Sequence, residues 1–216
     1  MNDRLSNEPK STAKEEIVEE QKTNKELFPI VGIGASAGGL AAFTELLRHL
    51  PTDTGMGFVL IQHLNPEYKS LLSEILAKAT QMPVIEVQDG ISVEPNHVYV
   101  IPPNTKMTIT QGRLRLSPRE KTRGMYMPVD VFFSSSAEER GSKAIGIVLS
   151  GSDGDGAQGL RAIKAAGGIT FAQYEATAKF TSMPNTAAAT GHVDFILPPA
   201  AIAEKLANIS RHPYVT

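Results

Sequence analysis

The chain has no cysteine among its 216 residues. That excludes a disulfide framework, a thiol nucleophile and a cysteine-based zinc site. Surplus charge is also missing: 21 Lys and Arg stand against 23 Asp and Glu, a formal net charge of −2. Such a balance gives no electrostatic reason to bind nucleic acid or an anionic membrane. No stretch approaches the roughly 20 apolar residues that span a bilayer. The first residues lack the apolar core of a signal peptide and are crowded instead with Lys, Glu, Asp, Asn and Ser. Together these absences lead to the expectation of a cytoplasmic protein with no membrane insertion. Residues 1–27 read as a charged, disordered tail, in which "TAKEEIVEEQKTNKELF" is able to form a linker helix. The remainder, residues 28–211, has the length and apolar content of one sizeable domain.

Within that domain, strand and helix signals alternate. "PIVGIG" and "GMGFVLIQ" are apolar strand candidates, and "GGLAAFTELLRHL" carries Leu40, Phe43, Leu46, Leu47 and Leu50 at helical spacing. "NPEYKSLLSEILAKAT" reads as a helix with Pro66 in its first turn, and "MPVIEV" as a short strand. The middle changes character. "HVYVIPPNTKMTITQGRLRLS" holds three extended runs, with Gln111-Gly112 as a hairpin turn, and "SPREKTRGMYM" follows as a polar loop. "PVDVFFSSSAEERG" suits a helix that starts at Pro128. Alternation then resumes: a strand over 143–151, a helix in "DGAQGLRAIKAAGG", strands in "ITFAQ" and "VDFILP", and helices in "SMPNTAAATG" and "PAAIAEKLANISR". Repeated strand–helix units predict an α/β fold with a doubly wound, mostly parallel sheet, helices on both faces and a small β-hairpin excursion. Ligands of such sheets bind beyond the carboxyl ends of the strands.

Three such ends carry candidate chemistry. Gly34-Ala35-Ser36-Ala37-Gly38 is a G-x-S-x-G turn between strand and helix, which suits a serine nucleophile beside free helix N–H groups. Gly32-Ile33-Gly34 with Gly38 also approaches a dinucleotide fingerprint, but the second strand ends in Gln62-His63 and lacks the acid that binds a ribose. His63 is placed to act as a general base; the duller alternative is a partly buried histidine satisfied by backbone groups. The third end is Gly151-Ser152-Asp153-Gly154-Asp155-Gly156. One of its aspartates can orient an imidazole while the other caps the next helix, and spacing does not choose between them. A calcium loop would need further oxygen ligands and a closing Glu that do not follow.

"GIGASAGGL", "IQHLNP", "PVDVFF", "VLSGSDGDGAQGL" and "SMPNTAAATGHVDFILP", in that order, resemble the catalytic domain of the chemoreceptor protein-glutamate methylesterases, the CheB type. The resemblance runs from about Pro29 to Leu197. It implies hydrolysis of glutamyl methyl esters on the cytoplasmic helices of methylated chemoreceptors, with deamidation of specific glutamines as a further activity. It implies Ser36 as nucleophile, His63 as general base and then acid, and Asp155 rather than Asp153 as the orienting acid. The backbone amides of Ala37 and Ser152 are implied as oxyanion donors, with no metal or organic cofactor. The chain departs from the family in two places. Ala37 stands where threonine is common, and Ser152, Asp153 and Gly154 replace Met-Gly-Asn. Stand-alone members usually carry an N-terminal receiver domain, for which residues 1–27 are too short. The variant loop resembles more the methylesterase segment of methylesterase–methyltransferase hybrid sensory proteins, which makes methyltransferase or sensor domains of a longer protein expected partners. The alternative expectation is a catalytically weak module that docks to receptor without useful turnover.

Overall fold

The computed structural model describes residues 27–62, 71–119 and 126–212. Most of the expected tail, the start of the helix drawn from "NPEYKSLLSEILAKAT" and the centre of the polar loop therefore lie outside the described residues, as does His63.

Seven strands form one parallel sheet: β1 (Ile30–Ala35), β2 (Gly57–Gln62), β3 (Val84–Glu86), β4 (Val98–Val100), β7 (Ala144–Val148), β8 (Ile169–Gln173) and β9 (Phe195–Leu197). Their order is β3-β4-β2-β1-β7-β8-β9. The chain lays the first half of the sheet on one side of β1, then returns to lay the second half on the other. The reversal between β1 and β7 is a topological switch point, where open parallel sheets gather their ligands. β1 is buried along its whole length, as a strand with helices over both faces must be.

Side chains alternate between two cores. Val31, Ile33, Phe58 and Leu60 join α1 (Gly39–His49), α2 (Leu71–Ala77) and α6 (Pro199–Ser210) on one face. Ile30, Val59 and Ile61 join α3 (Pro128–Arg140), α4 (Ala157–Ala165) and α5 (Ser182–Ala189) on the other. Glycines in β1 let α3 approach closely. A Cβ on Gly34 would stand 2.3 Å from Val129 Cγ1, and one on Gly32 would stand 2.8 Å from Phe133 Cε1.

The hairpin is present as the sequence predicts. β5 (Thr105–Thr110) pairs antiparallel with β6 (Arg113–Pro118). Gln111 and Gly112 take φ of 52° and 71°, the left-handed pair that a tight hairpin turn needs. Met107, Ile109 and Leu114 bury the hairpin in the same core as α3, and the Gly112 N–H donates to Glu139 at its far end. The strand expected over 143–151 is shorter, ending at Val148. The Leu149 N–H still donates to Gly34 O, but Ser150 and Gly151 turn aside to bond the loops described next.

Candidate active site

β1 ends opposite β2, Ala35 paired with Gln62, and the chain then folds back through Ser36, Ala37 and Gly38 into α1. Gly38 has φ of 76°, a left-handed value that glycine adopts without strain. The Ser36 N–H donates to Ser150 O at 3.0 Å, and Ser36 O accepts from the Gly39 N–H at 3.0 Å. Gln62 Nε2 stands 3.5 Å from the same oxygen, at the outer limit of a hydrogen bond. These bonds hold the Ser36 backbone on both sides, and its side chain is left partly exposed.

Ser150, only 1% exposed, is the junction of the site. Its hydroxyl donates to Ala37 O at 2.8 Å and accepts from the Phe180 N–H at 3.0 Å. Its own N–H donates to Gln173 Oε1, and Gln173 Nε2 donates onward to Thr177. The serine turn, the end of β7 and the loop before α5 are thereby tied through one buried polar side chain. Gly151 follows in a space with no room for a side chain. A Cβ there would stand 1.9 Å from Met183 Sδ and 3.1 Å from Ser36 Cβ. Met183 thus packs beneath the contact between the serine turn and the β7 loop.

Beyond Gly151 the loop exposes Ser152 and then turns inward, with Asp153 Oδ1 accepting the Asp155 N–H at 3.0 Å. Asp155 is fully buried. It does not cap the helix that follows it. Its Oδ2 accepts the Val129 N–H and its Oδ1 the Asp130 N–H, each at 2.9 Å, so it caps α3. The residue before α3, Met127, makes no side-chain cap, and neither does Gly156 before α4. Asp130 fills the second vacancy, its Oδ1 accepting the Gly159 N–H at 2.7 Å. Two helix N-termini exchange carboxylates. Burial pushes the Asp130 carboxyl above the ordinary carboxylate range, and the neighbouring Asp155 charge adds to this against the pull of the Gly159, Gly156 and Gln158 N–H groups.

An open groove of about 910 Å³ begins at Ser36 and Ala37 and is lined by Leu40, Thr44 and Arg48 of α1, with Ile75 and Lys179 on its walls. Among the described residues, the N–H groups of Ala37 and Ser152 donate to no protein acceptor. The structure therefore gathers Ser36, Ala37 and the 150–155 loop at the switch point. Gln62 ends β2 at the same rim, and His63 follows it outside the described residues. Sequence reasoning missed Ser150, Gln173, Met183 and Asp130 as parts of this site. Gln173 had the available signal, because it is a polar residue closing an apolar strand, as Gln62 is. Among the described residues no cluster of three His, Cys, Asp or Glu side chains is able to hold a metal ion. No helix there is long and apolar enough to cross a membrane.

Comparison with known proteins agrees with this architecture. A family model described as CheB methylesterase matches residues 31–206. Protein-glutamate methylesterase/protein-glutamine glutaminase 1 of Myxococcus xanthus is 36% identical over 186 residues, covering 84% of this chain and 54% of that protein. The corresponding protein 2 of Burkholderia lata is 37% identical over 185 residues, covering 85% and 55%. An uncharacterized 104.1 kDa protein of Rhodobacter capsulatus is 42% identical over 126 residues, 58% of this chain and 13% of that one. The chain spans about half the length of the curated methylesterase relatives it matches. The crystal structure of the Thermotoga maritima CheB methylesterase catalytic domain superposes with a TM-score of 0.78 at 28% identity, covering 85% of this chain and 99% of that one.

Proposed function

This chain belongs to the CheB methylesterase family, and on that premise we propose that it is a serine hydrolase releasing methanol from glutamate methyl esters of chemoreceptors and, by the same acyl chemistry, ammonia from glutamine side chains. One observation carries the reading. The Ser36 turn and the β7 loop meet at the switch point, bonded through Ser150 and closed on Gly151, and the serine turn opens there into a groove of about 910 Å³ that Ser36 and Ala37 line.

In the proposed reaction, Ser36 Oγ attacks the γ-carbonyl carbon while His63 takes the hydroxyl proton. Asp155 orients that imidazole and balances the charge it gains. The Ala37 and Ser152 amides hold the negative oxygen that forms on the carbonyl. The intermediate collapses, the carbon–oxygen bond to the methoxy group breaks, and methanol leaves with the proton from His63. Water then attacks the acyl-enzyme with His63 as base, restoring Ser36 and leaving a glutamate carboxylate. Ala37 in place of threonine costs a hydroxyl but keeps the amide on which this scheme depends. The proposed setting is the cytoplasm, with receptor helices as substrate. Sensor or methyltransferase domains of a longer protein are proposed partners; the 104.1 kDa relative, matched over only 13% of its length, supports no more than the occurrence of such a segment within a longer chain.

Methanol release from a methylated receptor fragment tests the assignment. Ser36→Ala is expected to abolish it while leaving thermal unfolding unchanged. Full activity in that variant would refute the role of Ser36.

A further inference from the structure

The carboxylate exchange between α3 and α4 closes a ring. The Asp130 N–H donates to Asp155 Oδ1, the chain runs from Asp155 to Gly159, and the Gly159 N–H returns to Asp130 Oδ1. The helices are pressed together there. A Cβ on Gly159 would stand 2.5 Å from Phe133 Cβ and 3.1 Å from Asp130 Cα, and one on Gly156 would stand 2.9 Å from Val129 Cγ1. Neither helix supplies its own side-chain cap, so each N-terminus depends on the other's acid. Asp155 consequently cannot shift without breaking a bond to Asp130, and the turn that carries it cannot shift without breaking another.

We propose that Asp130 is a positioning residue for the esterase reaction: its carboxylate locks the turn from Asp155 to Gly159 and so fixes the acid that orients the catalytic base. The inference rests on the serine hydrolase reading above. Two like charges this close oppose each other, and the partial positive charge of two helix N-termini offsets that repulsion. The raised Asp130 carboxyl is consistent with such a compromise, in which some stability is given up to hold a second acid in place.

The test uses the full chain with p-nitrophenyl acetate as substrate and a fluorophosphonate to titrate reactive serine, so that kcat is expressed per reactive site. Asp130→Ala is expected to lower kcat about 10-fold with KM within about twofold, the scale set by small misplacements of reacting groups. Asp130→Asn keeps an acceptor for the Gly159 N–H and is expected to recover most of that loss. Leu206→Ala, on the opposite core, is the control for lost stability alone and is expected to keep kcat per site. Variants of Asp130 that lose folded protein but keep kcat per titrated site would make it a structural cap only and overturn the proposal. A wild-type protein that takes no fluorophosphonate at Ser36 would overturn the hydrolase reading, and this inference with it.

Discussion

Asp155 and Asp194 lie at opposite ends of the same sheet and are held in different ways. Asp194 precedes β9 at the amino-terminal edge. It accepts from Lys164 Nζ and from both the N–H and the hydroxyl of Thr170. Its cation arrives on a long side chain that is half exposed. Asp155 lies beyond the carboxyl end of β7, wholly buried, with both oxygens bonded to amides of α3. A lysine follows its carboxylate as the surface moves, whereas helix amides move only with the helix. The first arrangement fastens β9 to α4 and β8; the second fastens the β7 loop to α3 through a buried carboxylate, the rigidity that the orienting role proposed for Asp155 calls for.

Neutralising Asp155 is expected to have the largest effect. Asp155→Asn is expected to lower turnover by about 10⁴, the scale for an orienting acid that no longer selects the imidazole tautomer. It should also cost about 1–3 kcal/mol in urea unfolding, because a buried amide of α3 loses its acceptor. A fall below tenfold would move the orienting role to Asp153. Gly151→Ala comes next. The added methyl falls on Met183 and beside Ser36 Cβ, so overpacking should cost about 1–3 kcal/mol and reduce turnover as the serine turn is displaced. Unchanged turnover would show that the contact between the two loops is not needed for chemistry. Asp194→Asn is expected to have the smallest effect, under about 1 kcal/mol in unfolding, with turnover unchanged. A lost activity there would erase the distinction between the two ends.

Titration sharpens the same contrast through opposite signs. Burial alone would raise Asp194, but the Lys164 and Thr170 bonds outweigh it and bring the carboxyl below its ordinary 3.8. Its stabilising contribution is therefore complete above pH 3.8 and is lost as the pH falls through the lower folded value. Asp130, raised above 3.8 by burial and by Asp155, behaves in reverse. It favours the folded state at low pH, and that contribution disappears as the pH rises through its folded value. Relative to wild type, Asp194→Asn should lose its deficit on acidification below pH 3.8. Asp130→Asn should improve as pH rises from 3.8 towards neutrality. Unfolding free energies across pH 3 to 7 that move the two variants in the same direction would contradict these assignments.

The fold was legible because its strands are short apolar runs punctuated by glycine and proline, and Gln111-Gly112 is a local signal that needs no tertiary information. The rim of the site was legible for a related reason, since Ser36, Gln62 and the 151–156 loop each close an apolar strand. Which of Asp153 and Asp155 is buried against α3 was not legible from spacing. Asp155 caps a helix whose first residues lie more than 20 positions earlier, and no local pattern reports a bond made between two helices. Ser150 and Met183 escaped for the same reason. Their roles consist of contacts with Ala37, Phe180, Gly151 and Ser36, which only the folded chain brings together. Asp130 stood in the quoted "PVDVFF" segment, but its acceptor role appears only where α3 meets α4.

The most direct test of the account is to react the full chain with a fluorophosphonate and map the adduct by peptide mass spectrometry. One adduct on Ser36, absent in Ser36→Ala and formed markedly more slowly in Asp155→Asn, is the result expected of a nucleophile activated through a base that Asp155 orients. An adduct on Ser150 or Ser152, or a Ser36 labelling rate indifferent to Asp155, would contradict it.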